Sequence, residues 1–306
     1  MKRVFLLFCV LSAINVLAEE AKTTIIYGED NRQDINQVNN DKIKLLSKSI
    51  AGRVFNFSFN KDEEKNNISF DEAPTLSSPM SAKVCSDQRF KDQKTAVDCT
   101  GFLVGEDLLV TAGHCVVDHG QTAEDEITRD CAGSSWLFEY TSESDLNNVN
   151  VDDVYGCKKV ILGKNHEVVD FALIQLDRKV VGRKPLKIAE KNISLAQKIF
   201  VMGHPSGLPL KYADGARVFE TEEAYFATNL DTFGGNSGSP VFNADTLEVE
   251  GILVRGDTDY VVSFEDNGER CRKVNTCDNE RENCQEEDPN ILGEHVTYIS
   301  LIKDSL

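Results

Sequence analysis

The chain has 306 residues, of which 41% are hydrophobic and 27% are charged, a composition typical of a globular protein with one large core or two small ones. Its 51 acidic residues against 33 basic ones give a formal charge of −18. This balance argues against a nucleic-acid or anionic-lipid partner, because both require a surface rich in Lys and Arg. The composition also excludes a collagen, a coiled coil and a multi-pass membrane protein.

The N-terminus, residues 1–18, predicts a signal peptide. Lys2 and Arg3 form a positive start, an apolar run follows over residues 4–16, and small or compact residues end at Ala18. No later stretch approaches the roughly 18 apolar residues that are needed to span a bilayer. We therefore expect a secreted or periplasmic protein that is cleaved near Ala18 and has no stable membrane anchor.

Cleavage there removes Cys9 and leaves eight of the nine cysteines, an even number that favours disulfides in an exported chain. A zinc site would have to use Cys271, Cys277, Cys284 and His295. These residues lack the usual Cys-x2-Cys spacing of a structural zinc site, so we expect no metal.

The organisation of the chain favours an all-β fold. Residues 19–80 are polar and Asn-rich, and predict an N-terminal arm with strand segments that join the main fold, including a strand over residues 54–59. Long amphipathic helical patterns are nearly absent from the main domain, residues 81–306, whose two halves join near residues 178–191. Short β-rich runs recur there, at residues 99–104, 108–112, 136–140, 168–176, 198–203, 224–230, 240–243 and 249–254. Many short strands between polar turns predict a sandwich or barrel.

Three segments contain the residue types of nucleophilic catalysis. His114 follows an apolar strand in Thr-Ala-Gly-His-Cys, Asp170 begins an apolar strand, and Ser237 lies in Gly-Gly-Asn-Ser-Gly-Ser-Pro-Val. A serine hydroxyl needs a base to remove its proton, and histidine suits that role because its ordinary pKa is about 6.5. The imidazole in turn needs an acceptor that fixes its tautomer. Each segment alone has an ordinary structural explanation, but the three together, in this order, predict a serine hydrolase.

On these motifs the chain resembles the trypsin/chymotrypsin superfamily, and within it the bacterial glutamyl-endopeptidase branch. The His114 segment is similar to the family's Thr-Ala-Ala-His-Cys, and Asp170-Phe-Ala-Leu-Ile is similar to its Asp-Ile-Ala-Leu-Leu. The Ser237 segment is similar to Gly-Asn-Ser-Gly-Ser-Pro-Val-Phe of that branch. The resemblance covers most of residues 23–260 and leaves residues 261–306 unmatched.

The resemblance implies two packed antiparallel β-barrels of six strands each, with the active site in the cleft between them. It makes His114 the general base, Asp170 its orienting partner and Ser237 the nucleophile. The glycines beside Ser237 allow a tight turn, and the resemblance assigns the oxyanion hole to the backbone N–H groups of Gly235 and Ser237.

The resemblance also implies a disulfide between Cys99 and Cys115, whose separation of sixteen residues equals that of the family's histidine-loop disulfide. The other pairings stay open. The expected reaction is hydrolysis of peptide bonds in proteins or peptides through an acyl-enzyme, by a monomeric enzyme without a cofactor. Two alternatives also stay open: a catalytically silent binding protein that keeps the fold, and an esterase that uses the same triad.

Specificity is the least determined property. Asp231 lies six residues before Ser237, where trypsin has the acidic floor of its specificity pocket, and Leu253 and Gly256 are assigned to the same pocket. A buried carboxylate would favour Lys or Arg in the substrate. Glutamyl endopeptidases have the same Asp without basic specificity and recognise Glu partly through a His at the position of Leu253. Because Leu253 replaces that His, a preference for substrates with Lys or Arg is favoured over a preference for Glu or an undefined specificity.

Activation by a new N-terminal amine, as in trypsin-like zymogens, is not expected. Asn236 stands where those enzymes have the Asp that binds this amine. Residues 25–32 are similar to the start of mature glutamyl endopeptidases. We therefore expect activity soon after signal removal, with trimming near Thr23 or Ile25.

Overall fold

The computed structural model describes residues 26–277 and 293–305, so the predicted signal peptide at residues 1–18 and Cys284 lie outside the described residues. In the first half of the chain the strands are β1 Ile26–Tyr27, β2 Gln33–Asp34, β3 Ile50–Phe55, β4 Asn60–Asp62, β5 Asn67–Ser69, β6 Thr100–Leu103, β7 Leu108–Thr111, β8 Thr122–Glu126, β9 Ser134–Phe138, β10 Val149–Asn150, β11 Val154–Asn165 and β12 Asp170–Leu176. In the second half they are β13 Lys198–Gly203, β14 Lys211–Thr221, β15 Tyr225–Thr228, β16 Pro240–Asn243, β17 Val249–Arg255, β18 Tyr260–Phe264, β19 Arg270–Val274, β20 Thr276–Cys277 and β21 Glu294–Tyr298.

The described helices are short. They are α1 Asp41–Ser47, α2 Arg129–Ala132, and the 3-10 segments Ile35–Gln37, Gly113–Cys115, Val151–Asp153, Pro205–Gly207 and Ile299–Ser305. Helix α1 begins where the Asn40 side chain accepts the backbone N–H of Lys42 at 3.0 Å, a typical N-cap. None of the helices in the described part of the chain is long and apolar enough to cross a membrane.

Six strands of the first half close into an antiparallel barrel. They follow each other around the ring in the order β3, β6, β7, β12, β11 and β9, and β9 pairs with β3 to close it. Strand β12 is buried along almost its whole length, which explains its nearly continuous apolar sequence. Large aromatic side chains, among them Phe102 and Trp136, fill the interior.

Six strands of the second half close into another antiparallel barrel, in the ring order β13, β16, β17, β21, β15 and β14. Strand β21 comes from the region of the sequence that matches no family motif, yet the barrel cannot close without it. The main cluster of buried apolar side chains includes residues of both barrels, for example Leu109 and Phe242. The predicted fold of two packed antiparallel barrels is thereby confirmed.

The segment ahead of the first barrel is tied to the second. Strand β1 pairs in parallel with β20, β2 pairs with β14, and the buried Lys211 ammonium forms an ion pair with Asp34. The connection between the barrels is residues 177–197, between the end of β12 and the start of β13.

One predicted strand is shorter than expected. The alternating apolar residues 54–59 continue β3 only as far as Phe55, after which the chain turns and the Ser58 N–H donates to the Phe55 carbonyl at 2.9 Å. Phe57 is 85% exposed. Phe59 does pack against Phe70, with ring centroids 5.5 Å apart, but the turn over residues 56–59 separates it from β3, so the alternating pattern does not extend the strand.

Three disulfides join cysteines whose pairing was open or only implied by resemblance. They are Cys85–Cys271, Cys99–Cys115 and Cys131–Cys157. The first ties the long loop between β5 and β6 to strand β19, and the second joins the start of β6 to the turn after β7.

Candidate active site

His114 and Asp170 lie side by side because β7 and β12 are neighbours in the first barrel. His114 is in the turn Gly113–Cys115 directly after β7, and Asp170 is the first residue of β12. Asp170 Oδ2 lies 2.7 Å from His114 Nδ1, and Asp170 Oδ1 accepts the backbone N–H of His114 at 3.1 Å. A carboxylate can only accept, so Nδ1 carries the proton and Nε2 of the neutral ring is an acceptor.

The His114 side chain is much more exposed than the Asp170 side chain, as expected for a general base and its buried partner. The Asp170 side chain is only 6% exposed, whereas that of His114 is 35% exposed. The carboxylate is thus shielded from water and held to the ring, while part of the imidazole remains accessible to another group.

The loop that contains Ser237 is attached to the first barrel next to His114. The Thr100 N–H donates to the Ser237 carbonyl at 2.8 Å, and Sγ of Cys115, the residue after His114, lies 3.8 Å from the same oxygen. Disulfide-bonded Cys115 has no S–H, so this second approach is a packing contact. Within the described residues, no hydrogen bond joins the Ser237 side chain to His114.

Two backbone donors beside Ser237 are unpaired. The loop is closed by hydrogen bonds from Asn236 N–H to the Phe233 carbonyl and from Ser239 N–H to the Asn236 carbonyl, at 2.9 and 2.8 Å. Across residues 26–277 and 293–305, no acceptor pairs with the N–H of Gly235 or Ser237. Two free N–H groups at a serine can stabilise a developing oxyanion.

A cavity of about 450 Å³ opens beside Ser237. Strand β17 and the chain after it form one side, and the sequence-predicted Leu253 and Gly256 are among the lining residues. Its other lining residues include Phe233 and Glu294.

The sequence of residues 99–252 matches the family model of the trypsin-like peptidase domain, which is half of the chain. The chain belongs to this family of trypsin-like peptidases. No curated protein matches the sequence.

Solved peptidase structures are similar to this trypsin-like peptidase only distantly. The active form of the Rv3671c protease from M. tuberculosis is 13% identical, with a TM-score of 0.45, over 94% of this chain and 92% of the other. A Glu endopeptidase in complex with MPD is 18% identical, with a TM-score of 0.44, over 82% and 94%. The VesB protease of Vibrio cholerae is 12% identical, with a TM-score of 0.49, over 90% and 65%. The link to the glutamyl-endopeptidase branch is therefore weak.

In this trypsin-like peptidase, Asp231 does not lie at the floor of the specificity pocket, where the sequence predicts it. Its carboxylate accepts the backbone N–H groups of Tyr27 and Asn31, at 3.0 and 3.2 Å, and it is absent from the cavity lining. Burial raises the pKa of Asp231 to about 7, although the two N–H groups act in the opposite direction. The assignment of Asp231 to the floor of the pocket is corrected accordingly: it holds the N-terminal segment.

The carboxylates that do line the cavity come later in the sequence. They are Asp257, Asp259 and Glu294. Burial raises the pKa of Asp259 to about 6, and the Gly234 N–H, which donates to its carboxylate at 3.0 Å, lowers it. Burial also raises the pKa of Glu294 well above its ordinary value.

Glu294 was missed because it lies in the unmatched region of the sequence. No local signal in the sequence could have found it, because β21 reads Glu-His-Val-Thr-Tyr and contains no apolar run, although most of the strand is buried.

Two groups of described residues have potential metal ligands close together, one around His114 and one around Glu265. Each includes two cysteines that are joined in a disulfide, Cys99–Cys115 and Cys85–Cys271. A disulfide has no thiolate to offer a metal. These groups therefore do not fit a metal site.

Proposed function

We propose that the protein is an exported serine endopeptidase with His114, Asp170 and Ser237 as its catalytic triad. The observation that carries the proposal is the pair of hydrogen bonds between Asp170 and His114, which orient the ring through Nδ1 and leave Nε2 as acceptor. The substrates are proteins or peptides, and the chemistry needs no cofactor.

In the proposed reaction, Ser237 Oγ attacks the substrate carbonyl carbon while His114 Nε2 takes the hydroxyl proton. The N–H groups of Gly235 and Ser237 stabilise the negative charge that develops on the carbonyl oxygen. The imidazolium then donates its proton to the leaving amine, which departs and leaves an acyl-enzyme. Water, deprotonated by His114, hydrolyses the acyl-enzyme and regenerates the serine.

Export is supported by the three disulfides, because such bonds persist in oxidising compartments. We propose that the signal peptide is removed near Ala18 and that the monomeric enzyme is then active without a trypsin-type amine switch. Asn236, which replaces the Asp of that switch, is buried and near Ser239.

The test is the intact mass of the oxidised, signal-free protein after treatment with diisopropyl fluorophosphate. One adduct on the wild type and none on Ser237→Ala is the expected result. Absence of an adduct on folded protein, before and after limited proteolysis, would contradict the proposed activity and favour a silent binding protein. Cleavage of casein compared with hydrolysis of a simple ester then separates an endopeptidase from an esterase.

A further inference from the structure

The cavity beside Ser237 contains a buried carboxylate oxygen without a partner. Glu294 is 2% exposed, and its Oε2 accepts a hydrogen bond from Thr232 Oγ1. Its Oε1 is buried and makes no hydrogen bond of good geometry, although the Asp257 backbone lies close enough to the carboxyl to lower its pKa. Within residues 26–277 and 293–305, no Lys or Arg forms an ion pair with Glu294.

The other charged groups that line the cavity are engaged elsewhere or are exposed. Both carboxylate oxygens of Asp259 accept the Gly234 N–H, at 3.2 and 3.0 Å, and Asp257 accepts the Thr258 N–H. Arg255 donates to the Glu167 carbonyl, and Arg272 on strand β19 is exposed. Glu294 Oε1 is therefore a buried carboxylate oxygen in the cavity wall that a ligand can reach.

A buried carboxylate without a counter-ion is costly, because neither water nor a cation compensates for its lost solvation. Burial and the nearby Asp259 raise the pKa of Glu294, while Thr232 and the Asp257 backbone lower it. A cation that enters the cavity would supply the missing partner. The cavity adjoins Ser237. When Ser237 attacks a carbonyl of the substrate, the side chain of the residue that contributes this carbonyl would therefore lie in the cavity.

We propose that Glu294 selects substrates with Lys or Arg at the residue whose carbonyl is attacked. This inference rests on the proposed function. Glu294 stands on β21, on a different segment from Asp231, so the acidic group of the pocket comes from a strand that no sequence motif marks. Oε1 can accept one hydrogen bond from an ammonium or a guanidinium group, which fits both side chains.

The test compares kcat/KM for peptides that differ only in having Arg, Lys, Leu or Glu before the scissile bond. Wild type is expected to prefer Arg and Lys to Leu by about 100-fold or more, because a wrong residue would leave the buried group unpaired. Glu294→Gln keeps the size of the side chain and removes its charge, and should reduce this ratio about 100-fold. Glu250→Gln is the matched control: Glu250 is also buried and also has a carboxylate oxygen without a partner, but it does not line the cavity, so its Arg-to-Leu ratio should stay within about three-fold of wild type.

Preference for Leu or Glu in the wild type, or an unchanged ratio in Glu294→Gln, would overturn the inference. Labelling by diisopropyl fluorophosphate separates the two proposals, because this small neutral reagent requires a working serine and no cationic side chain. Labelled protein without a basic preference contradicts the role of Glu294 alone, whereas unlabelled protein contradicts the proposed function.

A binding measurement tests the pocket without catalysis. Benzamidine, a flat aromatic cation, should raise the melting temperature of Ser237→Ala and should not raise that of Ser237→Ala combined with Glu294→Gln. Equal shifts in the two proteins, or none in either, would overturn the inference even if no activity is found.

Discussion

The carboxylate of Asp231 accepts the backbone N–H of Tyr27 at 3.0 Å, across 204 residues of sequence. The same carboxylate accepts the Asn31 N–H, so it holds both ends of a five-residue stretch. Arg32 follows, with its guanidinium 4.1 Å from the centre of the Phe233 ring in the cavity wall. The N-terminal segment thereby supports the loop that leads to Ser237.

Asp231→Asn should change the pH dependence of stability. Burial raises the pKa of Asp231 from 3.8 to about 7, so the folded state keeps a proton that the unfolded chain releases. The wild type therefore loses stability as pH rises from about 4 to about 7, whereas the Asn variant does not lose this contribution. Between pH 4 and pH 7 the free energy of unfolding of the variant should therefore rise relative to that of the wild type by up to about 4 kcal/mol. Urea titrations of both proteins measure it, and parallel pH profiles would contradict the prediction.

Asp170→Asn should lower kcat by about 10³ to 10⁴ while leaving the fold intact. An amide at this position can donate to Nδ1, which favours the tautomer whose Nε2 cannot take a proton. The measurement is kcat on a chromogenic ester, with circular dichroism as the check on folding. Asp177→Asn is the control, because Asp177 follows the other end of β12 as an exposed partner of Arg178 and its loss should not change kcat. A loss below ten-fold in Asp170→Asn would argue against the triad.

Gly238→Ala should lower the free energy of unfolding by at least about 3 kcal/mol and abolish labelling by diisopropyl fluorophosphate. Gly238 has φ +89°, and an added Cβ would overlap the Thr100 carbonyl oxygen and Thr111 Oγ1. Gly182→Ala is the matched control, with φ +79° and open space around the Cβ position. It should cost only about 1 kcal/mol, from the backbone conformation alone, and retain labelling. Equal losses in the two variants would show that packing against Thr100 is unimportant.

Replacing both Cys99 and Cys115 by Ser should lower the free energy of unfolding by about 3 kcal/mol, because the unfolded chain regains the freedom of a loop of sixteen residues. It should also slow labelling by diisopropyl fluorophosphate, since Cys115 adjoins His114 and contacts the Ser237 carbonyl. The control is replacement of Cys131 and Cys157, separated by 26 residues, which should cost about 3 to 4 kcal/mol without slowing the labelling. Equal labelling rates in both double variants would contradict a positioning role for the first disulfide.

Strand prediction succeeded where a strand is apolar and short, and failed where it is long and bulged. The predicted runs at Lys198–Gly203 and Pro240–Asn243 coincide with β13 and β16, which are almost entirely buried. Strands β11 and β14 were missed, because they mix exposed Lys, Asp, Arg and Gly with buried positions and contain register shifts. A bulge interrupts the two-residue period on which strand prediction depends.

The sequence by itself determined the fold class and the candidate triad, because each candidate catalytic residue lies in a short motif whose chemistry can be read locally. Only the tertiary structure decided which carboxylates line the cavity. Asp231 has the expected spacing from Ser237, but backbone N–H groups some 200 residues away hold it outside the cavity. Glu294 lines the cavity because β21 pairs between β15 and β17. Such pairing depends on long-range contacts, and no local pattern of residues records it.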